Sequence, residues 1–405
     1  MAIIVQKFGG SSVKDVERLK KVALIASGER DKGNKVVIVV SAMGKTTNSL
    51  IKLSQDISTS PSQREMDMLM STGEQVSIAL LAMALHSIGV DAISFTGSQV
   101  GILTDNSHMK ARIIDIDGQP ILDALDAGKV VIVAGFQGID ESYNITTFGR
   151  GGSDTTAVAL ATALKADICD IYTDVNGIYT TDPRIVSNAK KLDTITYDEM
   201  LELASLGAKV MHSRSIEFAK KYGVVVQVRS SFNPEVKGTF IQEKGDNMED
   251  PIIRGVASNK NESKISVLGV TDSPGIAAKL FSALASENIN VDMIIQNISD
   301  QGATDISFTV PKDDLKKSLS VSEEIISPLG AKGVTFDENI AKVSVVGVGM
   351  KSHSGVAATM FKALSEKGIN IDMISTSEIK ISVVIDLAQA DEAVRVLHAA
   401  FELDK

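Results

Sequence analysis

The chain has 405 residues, 44% of them hydrophobic, and 41 lysines and arginines against 51 aspartates and glutamates give a formal net charge of −10. That length exceeds one typical domain and points to two or three, with enough apolar residues for substantial cores. The acidic balance and the lack of any Lys/Arg run speak against a nucleic-acid partner, so an anionic ligand would need a local positive pocket.

The start, MAIIVQKFGG, lacks the apolar core and cleavage site of a signal peptide, and no apolar run approaches ~18 residues, so no membrane partner is expected. The single cysteine, Cys169, excludes an internal disulfide framework and fits a reducing compartment, and a cytoplasmic location is expected. Its setting in ADICDIYTD reads as a buried strand position rather than a nucleophile.

AIIVQKF is the first predicted strand, and KFGGSSV closes it. Gly9 and Gly10 let the backbone turn sharply and expose its N–H groups, Lys7 adds a mobile positive charge, and the helix-like KDVERLKKVALIA offers a positive dipole end. The combination suits a phosphate; an ordinary strand-to-helix turn with a surface lysine is the alternative. KVVIVVSA is a second strand. In REMDMLMSTGEQVSIALLAMAL, Glu74 shares a helical stripe with Met70, Ile78 and Leu81, where a carboxylate either snorkels or meets a specific cation.

DAISFTG, KVVIVAGF and ADICDIYTDV complete the predicted strands, and runs so continuously apolar are typical of a parallel sheet covered on both faces. Between the last two lies TTFGRGGSDTTAVALATAL, residues 146–164. Gly149, Gly151 and Gly152 flank Arg150, which can grip a carboxylate with two parallel bonds. Ser153 and Asp154 lead into a helix, and Asp154 could position Lys7 or approach a metal. A capped helix after a flexible loop is the plainer reading. YTDVNGIYTTDPRIV, residues 172–186, then carries Thr173, Asp174, Tyr179, Asp182 and Arg184 on a loop at a strand's carboxyl end, where α/β ligands bind, unless the turn is purely structural. A helical stretch broken near Gly207 and the strand VVVQVRSS follow, and a Pro-, Gly- and charge-rich linker is expected over 233–250.

Beyond the linker the chain repeats itself. DSPGIAAKLFSALASENINVDMI, from Asp272, returns 80 residues later as SHSGVAATMFKALSEKGINIDMI, with Gly275 matching Gly355 and Ile289 matching Ile369. Each copy reads β-α-β-β-α, and AKGVTF at 331–336 completes the first as a ferredoxin-like β-α-β-β-α-β unit over 264–337. The second copy, 340–405, runs out of chain before a fourth strand, and PIIRGVAS at 251–258 is predicted to supply it. The first repeat would then be inserted within the second. The expected fold is a mainly parallel three-layer α/β/α domain over 1–232 followed by two ferredoxin-like α+β domains.

No G-x-x-x-x-G-K-[ST] occurs and GRGGSD does not match G-x-G-x-x-G, so neither a P-loop nor a nicotinamide site is supported. His86, His108, His212, His353 and His398 have no paired ligand spacing, and no metal site built by the protein alone is expected.

Taken together and in order, KFGGSSV, VSAMGKTTNSL, STGEQVS, TTFGRGGSDTTA, YTDVNGIYTTDPRIV and LGAKVMHSRS resemble the aspartate kinases, a branch of the amino-acid kinase family, over nearly the whole chain, with tandem ACT domains where the repeat lies. The resemblance implies transfer of the ATP γ-phosphoryl group to the side-chain carboxylate of L-aspartate, giving 4-phospho-L-aspartate and ADP on the way to lysine, threonine, methionine and isoleucine. Lys7, Gly9 and Gly10 would hold the transferring phosphate, with Ser41 in the neighbouring loop. Thr47 and Glu74 would face the substrate, Glu74 at its ammonium, and Arg150 would hold its α-carboxylate beside Gly151 and Gly152. Ser153 and Asp154 would complete the centre, Lys7 and Asp154 being the catalytic pair. Thr173, Asp174, Tyr179, Arg184 and Lys209 resemble nucleotide-binding positions, and Mg2+ would accompany the ATP. Lysine, threonine or both are the implied feedback effectors, with Asp272, Pro274, Gly275, Ala277, Asp292 and Gln296 in one copy and Ser354, Gly355, Asn370 and Ile371 in the other as candidate contacts. A homodimer or higher oligomer through the ACT domains is implied, and Met248 could start a separate regulatory subunit. The rivals are a kinase for glutamate or N-acetylglutamate and a catalytically silent amino-acid sensor.

Overall fold

A computed structural model of the chain describes residues 1–206, 210–243, 252–298, 303–351 and 353–405. Lys209 and Met248 lie outside the described residues. The chain forms two compact units.

The first unit is built on an eight-stranded sheet. Across it run Thr194–Thr196, Thr239–Gln242, Val226–Ser230, Ile168–Thr173, Ile3–Phe8, Lys35–Val40, Val130–Ala134 and Ala92–Phe95. Every neighbouring pair is parallel except Val226–Ser230 with Thr239–Gln242. The apolar runs that predicted strands are buried almost throughout: all five residues of Val130–Ala134 and five of the six in Lys35–Val40 are inaccessible. Phe8 and Tyr172 stack on adjacent strands with ring centroids 4.5 Å apart. Helix Gly152–Ala163 is also buried at ten of its twelve positions, which is why its sequence is limited to small and aliphatic residues beyond the first turn. A second small sheet of Ile113–Ile116, Ile102–Thr104, Gln137–Ile139 and Ile145–Thr147 leads the chain into the glycines at 149–152.

Helix Gln63–Ser87 is 25 residues long and, by length and composition, apolar enough to cross a membrane, which the sequence reading did not expect. Here it is a core helix: Ile78, Leu81 and Leu85 pack with Leu19, Val22 and Ala23 of helix Val16–Asp31. Asp67 and Glu74 interrupt its apolar stretch, and both are buried within the unit.

Two boundaries depart from the sequence reading. The stretch 233–250 is not wholly a linker, because Thr239–Gln242 completes the main sheet, with Ile241 buried and Thr239 Oγ1 donating to Leu192 O at 2.5 Å. Its polar, glycine-containing flanks hid a short strand. Nor is 1–232 one piece, since residues 179–190 belong to the second unit.

That unit contains two four-stranded antiparallel sheets. One runs Gly255–Asn259, Ile340–Val346, Lys380–Asp386, Met373–Thr376; the other runs Ile294–Ile298, Ala303–Pro311, Glu262–Thr271, Gly333–Asp337. Strand Gly255–Asn259 pairs with Ile340–Val346 across the whole first repeat, Val256 opposite Val345. The segment 179–190 is built into the same sheet-and-helix layer. Val186 joins the core with Val256, Leu364, Val394 and Leu397, and Val256 N donates to Thr180 O at 2.8 Å. Thr180 Oγ1 lies 2.9 Å from Nε2 of the buried His398 and accepts from Lys190 N at 3.0 Å.

Thr180→Val keeps the shape of that side chain while leaving His398 Nε2 and the Lys190 N–H without their partner. It should cost about 1–3 kcal/mol, read as a lower urea midpoint for the second unit. Burial also holds the His398 pKa below its ordinary 6.5, against a smaller opposing pull from Asp404. The unfolded chain therefore takes up the proton first, so stability is intact above pH ~6.5 and declines as the pH falls toward the folded value. His398→Gln should flatten that part of a stability-against-pH curve.

Candidate functional site

The parallel strands of the first unit deliver their carboxyl ends to one side, where a pocket of about 290 Å³ opens. Strand Ile3–Phe8 supplies Lys7 and, just past its end, Gly9 and Gly10; Ser41 follows strand Lys35–Val40, and Phe136 follows Val130–Ala134. Thr47, Glu74, Arg150 and the run Gly149 to Asp154 close the remaining walls.

The glycine turn is tight for a steric reason. A Cβ on Gly10 would lie 3.0 Å from Ala42 O and 3.2 Å from Gly44 O, so any larger residue would push the two loops a few tenths of an ångström apart. Gly44 N donates to Gly10 O at 3.1 Å, and Ser41 N to Phe8 O at 3.1 Å. Helix Val16–Asp31 starts within KDVERLKKVALIA, six residues past Gly10, where Asp15 is its cap and accepts from Arg18 N at 2.8 Å. The helix end that meets the pocket belongs to Gly152–Ala163, so its positive dipole end, with Gly152, Ser153 and Asp154 in its first turn, faces the cavity.

Lys7 Nζ stands 2.5 Å from Asp154 Oδ1 and ties the central strand to that helix. Glu74 is fixed by a close approach of its helix, where a Cβ on Gly73 would meet Ala42 Cβ at 2.8 Å. One carboxylate oxygen accepts from Ala42 N at 3.0 Å, and the other, Oε2, is buried without a partner among the described residues. Burial raises the Glu74 pKa to about 7, despite the backbone N–H bonds that favour the charged form. Such a carboxylate suits an incoming ammonium, which would restore the charge and fill the open oxygen. Arg150 is exposed at the pocket wall, between Gly149 and Gly151, both in the left-handed region at φ 74° and 70°. Together these groups can receive an amino acid at both its ionic ends beside the Lys7 ammonium, which Asp154 holds at the pocket wall.

The pocket thus gathers Lys7, Gly9, Gly10, Ser41, Thr47, Glu74, Arg150, Gly151, Gly152, Ser153 and Asp154. Phe136 also lines it and was not singled out from the sequence; its place after a strand was the only available signal. Thr173 and Asp174 follow the neighbouring strand Ile168–Thr173, Thr173 Oγ1 donating to Asp174 Oδ1 at 3.0 Å, but do not line this pocket. Tyr179 and Arg184 lie in the second unit, where Arg184 pairs with Asp182 at 2.6 Å, so the nucleotide residues expected on one loop are divided. Among the described residues no group of three or more His, Cys, Asp or Glu could hold a metal ion.

In the second unit Gly275 and Gly355, at φ 93° and 102°, open helices Ile276–Ser286 and Val356–Glu366 in corresponding places. Asp272, Pro274, Ser354 and Asn370 are exposed, as is Gln296 on strand Ile294–Ile298; Ala277 and Ile371 are partly buried. Asp292 is ion-paired with Lys342 of the other repeat, and Lys264 returns the contact to Asp372 at 3.3 Å.

The model of the amino acid kinase family matches residues 2–230, and that of the ACT domain matches 265–324 and 343–401. Aspartate kinase Ask_LysC of Stutzerimonas stutzeri is 56% identical over all of this chain and 98% of its own length. Aspartokinase 2 of Bacillus subtilis is 52% identical over all of this chain and 99% of its own. The structure of Escherichia coli aspartokinase III with aspartate and ADP (R-state) superposes at a TM-score of 0.83 with 28% identity, covering 98% of this chain and 99% of that one. The same enzyme with lysine and aspartate (T-state) gives 0.76 and 29% over 98% and 99%.

Because Glu74 must be ionised to meet an ammonium, affinity for an amino-acid ligand should rise as pH climbs through about 7. Calorimetric titration with L-aspartate from pH 6 to 8 checks this, and Glu74→Gln should weaken binding and remove the pH dependence.

Proposed function

Since this chain belongs to the amino acid kinase family as an aspartate kinase with C-terminal ACT domains, we propose that the pocket at Lys7, Glu74, Arg150 and Asp154 is where ATP phosphorylates L-aspartate, giving 4-phospho-L-aspartate and ADP. One observation carries the assignment: a buried carboxylate with an open oxygen, a free arginine and a lysine–aspartate pair converge on one small cavity.

In this reading Glu74 Oε2 takes the substrate ammonium and Arg150 its α-carboxylate, so the side-chain carboxylate points toward Lys7. That carboxylate is already ionised at neutral pH (pKa ~3.9), and no general base is needed. The chemical problem is to bring two anions together, and the solution is orientation with charge screening. The Lys7 ammonium and the turn at Gly9 and Gly10 receive the transferring phosphate, the Gly9 N–H itself being turned to Tyr172 O at 3.4 Å, and Asp154 keeps Lys7 aimed at the phosphate. Thr47, Gly151, Gly152 and Ser153 shape the wall around the substrate. Ser41 borders the phosphates, and Thr173 and Asp174, at the end of the neighbouring strand Ile168–Thr173, serve the rest of the nucleotide. Mg2+ would accompany the ATP and supply further positive charge against the phosphates, and Asp154, the carboxylate at the pocket mouth, is the residue that would approach it.

The ACT repeats are the regulatory part, binding lysine, threonine or both at the helix starts around Gly275 and Gly355, with Asp292, Gln296, Asn370 and Ile371 nearby in sequence, and joining chains into a dimer or higher oligomer. The E. coli relative solved with lysine and aspartate supports an amino-acid effector.

Hydroxylamine trapping of the acyl phosphate tests the reaction: ATP, Mg2+ and L-aspartate should yield aspartyl hydroxamate, and product should fall when lysine or threonine is added. Lys7→Met and Asp154→Asn should each lower kcat by on the order of 10²–10³-fold, as expected when a fixed charge at the transferring group is lost. Folded protein that makes no product from aspartate would refute the assignment; product indifferent to both amino acids would refute the effector part alone.

A further inference from the structure

Arg150 sits in a backbone that has every reason to swing. Left-handed glycines stand on both sides of it, and its side chain is exposed. Something must hold the loop if the guanidinium is to meet a carboxylate at a fixed place. The contacts that do so come from the start of helix Ser213–Tyr222, in the HSRS part of a motif whose role the phosphoryl-transfer centre leaves unexplained.

Arg214 donates from Nη1 to Phe148 O at 3.2 Å and from Nη2 to Ala111 O at 2.8 Å. The first carbonyl lies two residues before Arg150. The second belongs to a segment anchored by the fully buried Asp67, which accepts from Met109 N at 3.0 Å and from Thr147 Oγ1 at 2.5 Å and lies 2.7 Å from His108 Nδ1. Just after Arg150, Gly151 lies flat against His212: a Cβ on Gly151 would fall 2.2 Å from His212 Cβ. His212 also caps the helix, its Nδ1 accepting from Arg214 N at 3.4 Å. A half-buried guanidinium spending its two forks on neutral carbonyls is poor economy for stability alone, and a lysine could not span both acceptors.

We propose that Arg214, braced by His212, is a positioning residue that presets Arg150 for the α-carboxylate and so sets the enzyme's preference for an acceptor with that group. This rests on the reading that Arg150 holds the α-carboxylate.

Steady-state kinetics of the full chain test it with R150A, R214Q, R214K and the double variant R150A/R214Q, using L-aspartate and its α-amide as acceptors. R214Q should raise the aspartate KM by on the order of tenfold, leave the ATP KM and kcat near wild type, and reduce the preference for aspartate over the amide. The double variant should be no worse than R150A alone, because both changes remove one interaction. R214K, which keeps the charge and loses the fork, should move the same way, and it carries the test if R214Q melts below the assay temperature. Unchanged aspartate KM and preference in the folded variants would overturn the proposal, as would effects of R150A and R214Q that multiply. An R150A enzyme with wild-type aspartate KM and preference would instead overturn the reading of Arg150, and the positioning role with it.

Discussion

The contact between Lys7 and Asp154 is the constraint around which the first unit is arranged. It joins a side chain from the central strand to one from the first turn of a buried helix, at 2.5 Å. Each partner is mostly withdrawn from water, so removing either would strand the other charge, a far larger loss than breaking a surface pair. The pair holds only if strand and helix approach closely, and glycines make that approach. A Cβ on Gly135 would strike Ser153 Oγ at 2.7 Å, and one on Gly152 would meet Phe136 at 2.7 Å. The charge pair, the glycines and the alanine-rich helix are therefore one solution: a cation carried on a central strand, aimed by a carboxylate at a helix start.

The second unit uses charge differently. Lys342 is only 2% exposed and touches Glu262 at 2.8 Å as well as Asp292 of the first repeat. Burial alone would lower its pKa, yet the two carboxylates hold it above the ordinary lysine value. The corresponding pair, Lys264 with Asp372, is partly buried, and no second carboxylate among the described residues pairs with Lys264. Two copies of one motif thus grip each other by crossed lysine–aspartate contacts of unequal depth. Around them Met293, Ile340, Met373 and Val384 form a small shared core. The gripping surface is therefore nearly but not fully symmetric: its lysines differ in depth, Lys342 fully buried and Lys264 partly so.

Much of this was legible in the sequence because the responsible signals are local. Runs such as KVVIVV and VVIVA are uninterrupted because both faces of their strands are covered, and the 80-residue echo of Gly275 in Gly355 marks two helix starts of the same geometry. The glycines at 9 and 10 read as a sharp turn and those at 149, 151 and 152 as a loop around Arg150, and both readings rest on residue type alone. What stayed hidden depends on distant partners. Strand Thr239–Gln242 is short and flanked by polar residues, and only its pairing with Val226–Ser230 makes it a strand. Arg214 looks like any helix-start arginine until two carbonyls from 66 and 103 residues earlier are placed beside it. The open oxygen of Glu74 likewise follows from the burial of its helix against Ala42, which periodicity hints at and cannot measure.

The path of the chain through 179–190 bears on how the molecule can be taken apart. Ile185, Val186 and Ala189 pack with residues contributed after position 250, and Thr180 is bonded to Val256 N and faces His398. A fragment ending near 232 would keep this segment and discard everything it packs against. Its apolar side chains would meet water, and its backbone groups would lose their partners. The first 232 residues are consequently not a separable module, because they carry a segment built into the second unit. Cutting the chain there would yield a sticky fragment.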